Sequence, residues 1–120
     1  MSWADDPRLL LGAVQRLLDA DLDGEATRSR SCALLLRQAL EGILKGVWAR
    51  NAPNVSRAPL RVQLLCLSEY TSDKELARVT GRTWQLLSDA CHHRGYGLPP
   101  SRPTLRLWLE RVTSLHNALG

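Results

Sequence analysis

The sequence predicts an all-α fold, a single up-and-down bundle of about five helices with a long early hairpin. Three observations favour this fold. Leu, Ala and Arg, which are good helix formers, are abundant, whereas Phe is absent. Apolar residues recur at helical spacing in five segments, and no segment shows the alternation of a strand. The length of 120 residues suits one domain, so we predict a single domain over residues 1–120.

The first two predicted helices form the early hairpin and cover residues 7–21 and 26–50. In the first, Pro7 suits the opening turn, and Asp5 or Asp6 suits the N-cap. The second has one apolar face, and charged residues follow one another at i,i+4 spacing on the opposite side, where they support the helix. These charged residues are Arg37, Glu41 and Lys45.

Three further helices are predicted after a loop at residues 51–56, which contains Pro and Asn. The third covers residues 59–69, the fourth ends at about His92, and the last begins at Pro103. Ser72 and Glu75 have the spacing of a capping box that opens the fourth helix. Three of the four Trp fall on or beside apolar stripes and are predicted in the core with partners for their indole N–H groups. They are Trp48, Trp84 and Trp108.

The composition excludes several classes of protein. No apolar run approaches the roughly 18 residues that a membrane span needs. The acidic start of the chain lacks the apolar segment of a secretory signal, so a cytoplasmic protein without membrane contact is expected. Cys32, Cys66 and Cys91 form no CxxC pair, which predicts reduced and mostly buried thiols. No metal site and no cofactor are predicted.

The charge is unevenly placed along the chain. Residues 1–25 carry six acids and two Arg, whereas residues 26–120 carry fourteen basic residues and six acids. A basic remainder of this kind is compatible with an acidic partner such as RNA. It is equally compatible with a well-solvated arginine surface, so the charge alone does not choose between the two.

One unusual stretch carries potentially reactive residues where the fourth helix ends. It reads Cys91-His92-His93-Arg94-Gly95-Tyr96. Cations are favoured at a helix C-terminus, so a capping role is one interpretation. Adjacent residues on a helix point about 100° apart, which disfavours both a shared metal ion and a Cys–His catalytic pair.

The layout resembles the HEPN superfamily of small helical-bundle proteins. Residues 30–41 look like the long early helix of that family. Residues 84–96, followed by residues 99–112, look like its helix ending in an Arg-polar-xxx-His stretch, often followed by Tyr, and its final helix.

The resemblance implies a homodimer in which Arg and His from two subunits form a composite site. It implies metal-independent RNA cleavage, with His assisting proton transfer and Arg stabilising the charge on the phosphate. On this chain it implies a catalytic set and a binding set. The catalytic set is His92, His93 and Arg94, and the binding set is Tyr96, Arg37 and Arg82.

The sequence departs from the family motif at the expected arginine. Leu87 and Ser88 stand five positions before the two histidines, where the family has Arg. Arg82 is ten residues before the first histidine, which is about 15 Å along one helix. Either Arg94 or Arg37 therefore substitutes for the missing residue, or the chain is a non-catalytic member.

Two functions therefore stay open, and the sequence does not decide whether the protein is an enzyme. The first is an RNA- or nucleotide-associated protein, with ribonuclease activity in a toxin, stress or defence system and a protein partner such as an antitoxin. The second is a non-catalytic helical adaptor. DNA binding is a third and weaker alternative, because no helix-turn-helix with a basic recognition helix stands out.

Overall fold

A computed structural model describes residues 6–20, 24–92 and 99–119. Within these ranges the chain forms six α-helices and no strand, which confirms the all-α fold class. The helices are α1 Pro7–Asp19, α2 Glu25–Asn51, α3 Pro53–Ser56, α4 Leu60–Tyr70, α5 Lys74–Cys91 and α6 Arg102–Leu119.

The first helix begins as the sequence predicts. Asp6 is its N-cap, and its carboxylate accepts a hydrogen bond from the Arg8 backbone N–H at 3.0 Å. Pro7 follows at the first helical position, where its missing N–H costs nothing because that group has no partner inside a helix. The end of the predicted helix at residue 21 lies outside the described residues.

The prediction of about five helices missed α3, which lies inside the predicted loop at residues 51–56. Pro53 opens this single turn, and the Ser56 hydroxyl donates to the Pro53 carbonyl at 2.6 Å. Four residues are too few to show a helical period, so the pattern on which the other helices were predicted is absent here.

The predicted capping box of α5 was also wrong in detail. The N-cap is Asp73 rather than Ser72, and its carboxylate accepts from the Leu76 backbone N–H at 3.0 Å. This places Glu75 one position too early to reach back to the cap. Glu75 instead pairs with Arg78 in the next turn, at 2.6 Å.

Helix α2 lies at the centre of the fold and contacts each of the other five helices. Its apolar face is buried against α1, α5 and α6 in the main core. The fully buried residues of that core include Leu10, Val14, Leu36, Leu40, Leu87 and Val112. No helix in the described part of the chain is long and apolar enough to cross a membrane.

The tryptophans that were predicted in the core differ in burial. Trp48 is only 2% exposed and packs in a second cluster with Leu44, Val47 and Leu67. Trp84 and Trp108 are partly buried against the main core. The predicted partner for the indole N–H exists for Trp84 but, among the described residues, not for Trp48.

Candidate functional site

The structure describes three of the six predicted site residues. Arg37 lies in the middle of α2, Arg82 is exposed on α5, and His92 is the exposed C-cap of α5. The other three, His93, Arg94 and Tyr96, lie outside the described residues.

Arg37 and His92 lie in contact. The guanidinium nitrogen Nη1 of Arg37 is 3.3 Å from the imidazole nitrogen Nε2 of His92. A guanidinium can only donate, so Nε2 accepts in this contact and the proton of a neutral imidazole then lies on Nδ1. The helix crossing thus supplies the Arg–His pair that the spacing along α5 alone does not.

Glu41 and Trp84 hold the guanidinium of Arg37 in one orientation. Arg37 Nε donates to Glu41 Oε1 at 3.0 Å, and Trp84 Nε1 donates to the same oxygen at 3.3 Å. The Arg37 Cζ atom lies 5.7 Å from the centre of the Trp84 ring, within the range of a cation–π contact. The hydrogen bond to Glu41 raises the pKa of Arg37, and partial burial opposes this rise.

The cluster of Arg37, Glu41, Trp84 and His92 stays open to solvent. The Arg37 side chain is 26% exposed and the Glu41 side chain is 36% exposed. A cation that is fixed by neighbours and still reachable from solvent can accept an anionic ligand without first being ordered, which lowers the cost of binding.

Cys91 adjoins this cluster, but its thiol does not suit a nucleophile. Burial raises the pKa of Cys91 above its ordinary value of 9.0, and the nearby Arg37 guanidinium opposes that rise only in part. The thiol therefore stays protonated at neutral pH, whereas catalysis needs the thiolate. The sequence predicted reduced and mostly buried thiols; all three cysteines are free, but only one of them is buried. Cys32 is buried, and Cys66 and Cys91 are partly buried.

Local sequence explains how each helix contributes to the cluster. Arg37 and Glu41 are four residues apart on α2, and Trp84 and Cys91 are seven residues apart on α5, so each pair shares one helix face. The spacing of the charged residues predicted Arg37 and Glu41 on the side of α2 opposite its apolar face. They face α5 instead, because the central helix is packed on more than one side.

The chain on both sides of residues 93–98 is held by α2. His92 contacts Arg37, and the Pro100 carbonyl accepts from the buried Ser29 hydroxyl at 2.8 Å. Arg37 and Ser29 are eight residues apart, which is about 12 Å along the helix. The two contacts therefore connect His92 and Pro100 to the same helix.

Arg82, the other predicted arginine that the structure describes, is not brought to His92. Arg82 lies ten residues before it on the same helix, which is about 15 Å along the axis. The sequence also contains one Arg and one His at the family's spacing in the last helix, Arg111 and His116. Five residues turn a helix by about 140°, so these two do not share a face of α6. Within the described ranges, no group of three or more His, Cys, Asp or Glu side chains could hold a metal ion.

An open groove of about 350 Å³ lies between α4 and α5. Trp84 forms part of its wall, so the same side chain borders both this groove and the Arg37–His92 pair. Sequence reasoning missed the groove, because its two walls come from separate helices. Its lining includes Arg61, Leu64 and Leu65 from α4 and Gly81, Trp84 and Gln85 from α5.

Comparison of the chain with protein-family models, with curated proteins and with solved structures found no match. The relationship to HEPN proteins therefore stays a prediction that depends on the residues quoted above. Any argument about function depends on the geometry of the site.

Proposed function

We propose that this chain is an RNA-associated, HEPN-like protein in which Arg37 and His92 bind and cleave an RNA phosphodiester. The proposal depends on the contact of 3.3 Å between the two side chains. This contact supplies a cation beside an imidazole, the two groups that RNA cleavage without a metal needs. Arg37 thus takes the place of the arginine that the sequence lacks before the histidines.

Each residue has a definite role in this chemistry. The 2′-hydroxyl oxygen attacks the adjacent phosphorus, and the bond to the 5′-oxygen breaks. His92 assists one of the two proton transfers, at the attacking hydroxyl or at the leaving oxygen. Arg37 stabilises the charge that develops on the phosphate oxygens. The proton lost by the 2′-hydroxyl balances the one gained by the 5′-oxygen, so the products are a 2′,3′-cyclic phosphate and a 5′-hydroxyl.

The charge distribution of the chain supports an anionic ligand. Residues 26–120 carry an excess of positive charge, and Arg37 lies within them. Basic residues that neutralise phosphates are the main source of affinity for nucleic acids. The proposal includes a cytoplasmic homodimer, in which a second copy adds its own Arg37 and His92, and a toxin, stress or defence setting with a protein antitoxin as partner.

Cleavage of a short single-stranded RNA in the presence of EDTA tests the proposal. His92→Ala should abolish cleavage and retain most of the binding, because it removes the proton-transfer group and leaves the Arg37 cation to pair with the phosphate. His116→Ala is the matched control and should leave both unchanged, because His116 lies in the last turn of α6, whose end accepts a hydrogen bond from Arg50 near the far end of α2. A DNA oligonucleotide of the same sequence should resist cleavage, because the attacking 2′-hydroxyl is missing.

The outcomes separate catalysis from binding. Cleavage that His92→Ala leaves unchanged would contradict the role of His92. Binding without cleavage would support an RNA-binding protein and refute the catalytic part. No binding at low salt would refute the proposal and leave the helical adaptor. An adaptor is favoured by exposed apolar residues on α4, where Leu65 is 71% exposed and Val62 is 41% exposed.

A further inference from the structure

We propose that the groove between α4 and α5 binds a base of the RNA, stacked on Trp84, beside the phosphate bound by Arg37 and His92. This inference depends on the proposed function, because it assumes that the ligand is RNA. It adds a subsite that holds a base, whereas the Arg37–His92 pair contacts only the sugar–phosphate backbone.

Gly81 is the first observation that points to a ligand in the groove. Glycine in the middle of a helix costs up to about 1 kcal/mol relative to alanine. A Cβ atom at Gly81 would meet no heavy atom within 4 Å, so packing within the protein does not require a glycine there. Glycine lets another group approach the backbone closely, and the groove lies directly over this position.

Trp84 is the second observation. It lies three residues after Gly81, on the same face of α5, and it borders the groove while its Nε1 donates to Glu41. Single-stranded RNA is commonly bound by stacking its bases on aromatic side chains. Trp84 and His92 are eight residues apart, about 12 Å along the helix, a span that a few linked nucleotides cover.

The polar side chains of the groove favour a nucleotide over an apolar protein segment. Arg61 lines it and has no carboxylate partner among the described residues, so it can pair with a phosphate. Gln85 donates through Nε2 to Asp89 at 2.9 Å, which leaves its carbonyl oxygen to accept from a base. An apolar protein segment would leave both of these groups facing apolar surface, which is unfavourable.

Filling the groove tests the inference. Gly81→Leu places an apolar side chain in the groove, and Gly81→Ala is the graded comparison, because a methyl group blocks only close approach to the helix backbone and leaves most of the groove open. The probe is a fluorescent eight-nucleotide RNA with 2′-O-methyl groups, which cannot be cleaved. Its affinity is compared at low salt with that of an oligonucleotide that has the same phosphates and no bases.

We expect Gly81→Leu to weaken binding of the RNA about 5- to 150-fold, the range that one base stacked on an aromatic side chain contributes. Gly81→Ala should weaken binding less than Gly81→Leu does, because its methyl group blocks only the close approach to the helix backbone, and neither variant should change binding of the abasic probe. Leu65→Ala is a second groove variant that cannot disturb the core, because Leu65 is 71% exposed. It should weaken binding of the RNA in the same direction.

Three results would refute the base subsite or the stacking that explains it. RNA binding that is unchanged in Gly81→Leu and Leu65→Ala but lost in Arg37→Ala would refute the base subsite and leave the proposed function intact. Equal losses on the RNA and abasic probes would refute stacking as the cause. A wild-type protein that binds neither probe would refute the proposed function and, with it, the subsite.

Discussion

Arg37 and His92 are 55 positions apart in the sequence, and their side chains lie 3.3 Å apart where α2 crosses the end of α5. Neither residue has its partner nearby along the chain. The pair is formed by the packing of two helices, and Glu41 and Trp84 keep the guanidinium pointing at the imidazole.

Replacement of Arg37 by Ala should destabilise the fold by about 1 kcal/mol. The pair with Glu41 has i,i+4 spacing and is partly exposed, so it contributes about 0.3–0.5 kcal/mol. The contact with Trp84 adds about 0.5–1 kcal/mol. Urea denaturation followed by circular dichroism measures this change. A loss above about 3 kcal/mol would mean that Arg37 is mainly a structural residue, since it exceeds what these two contacts can supply.

Two glycines with open surroundings should respond to alanine in opposite directions. Gly81→Ala should raise stability by about 0.5–1 kcal/mol, because alanine is the better helix former and its Cβ meets nothing. Gly24→Ala should lower it by about 1–2 kcal/mol, because Gly24 has a φ of +85°, which alanine adopts only with strain. Thermal denaturation measures the change in stability of both variants. A change in the same direction for both would contradict this explanation.

The helices of this fold differ in how well the sequence predicts them. Helical spacing and caps such as Asp6 predict the long helices to within a few residues, because both signals are local. The four-residue α3 has no period to detect, and the choice of Asp73 over Ser72 as a cap depends on where the preceding turn places the backbone.

The candidate site was predictable only in part. The sequence singled out Arg37 and His92 separately, one as a possible substitute for the missing arginine and the other as the end of a helix. Their contact depends on the angle and register of α2 against α5, which no spacing along the chain encodes. Glu41 was predicted on the outside of α2, whereas its carboxylate accepts hydrogen bonds from both Arg37 and Trp84.

Cys32 and Cys91 should react slowly with thiol reagents at neutral pH. Burial raises the pKa of both thiols above 9.0, so the reactive thiolate is scarce in the folded protein. Because burial penalises the thiolate in the folded protein, the free energy of unfolding should fall as the pH rises above 9.0. Mass spectrometry after iodoacetamide treatment at several pH values measures the labelling at each site. Rapid labelling of Cys91 at pH 7 would contradict the assignment of its thiol as protonated.

The protein should form a homodimer at micromolar concentration. The resemblance to HEPN proteins implies this dimer, but the broad apolar face of α2, which could have supported it, is largely buried within one chain. Leu34 is 45% exposed one turn before Arg37, which leaves an apolar surface beside the site for a second copy. Light scattering should give twice the chain mass of 13.4 kDa, and Leu34→Glu should shift it toward the monomer. A wild-type mass of 13.4 kDa would refute the dimer.

The salt dependence of RNA binding tests most directly whether Arg37 contacts a phosphate. For single strands, each neutralised phosphate contributes about −0.7 to the slope of log affinity against log salt concentration. Arg37→Ala should therefore make the slope for a non-cleavable RNA shallower by about 0.7. Arg16→Ala is the control, because this exposed arginine lies on α1, which contacts neither α4 nor α5 in the described part of the chain. An Arg37→Ala slope equal to that of the wild type, with Arg16→Ala also unchanged, would contradict the phosphate site at Arg37 and His92.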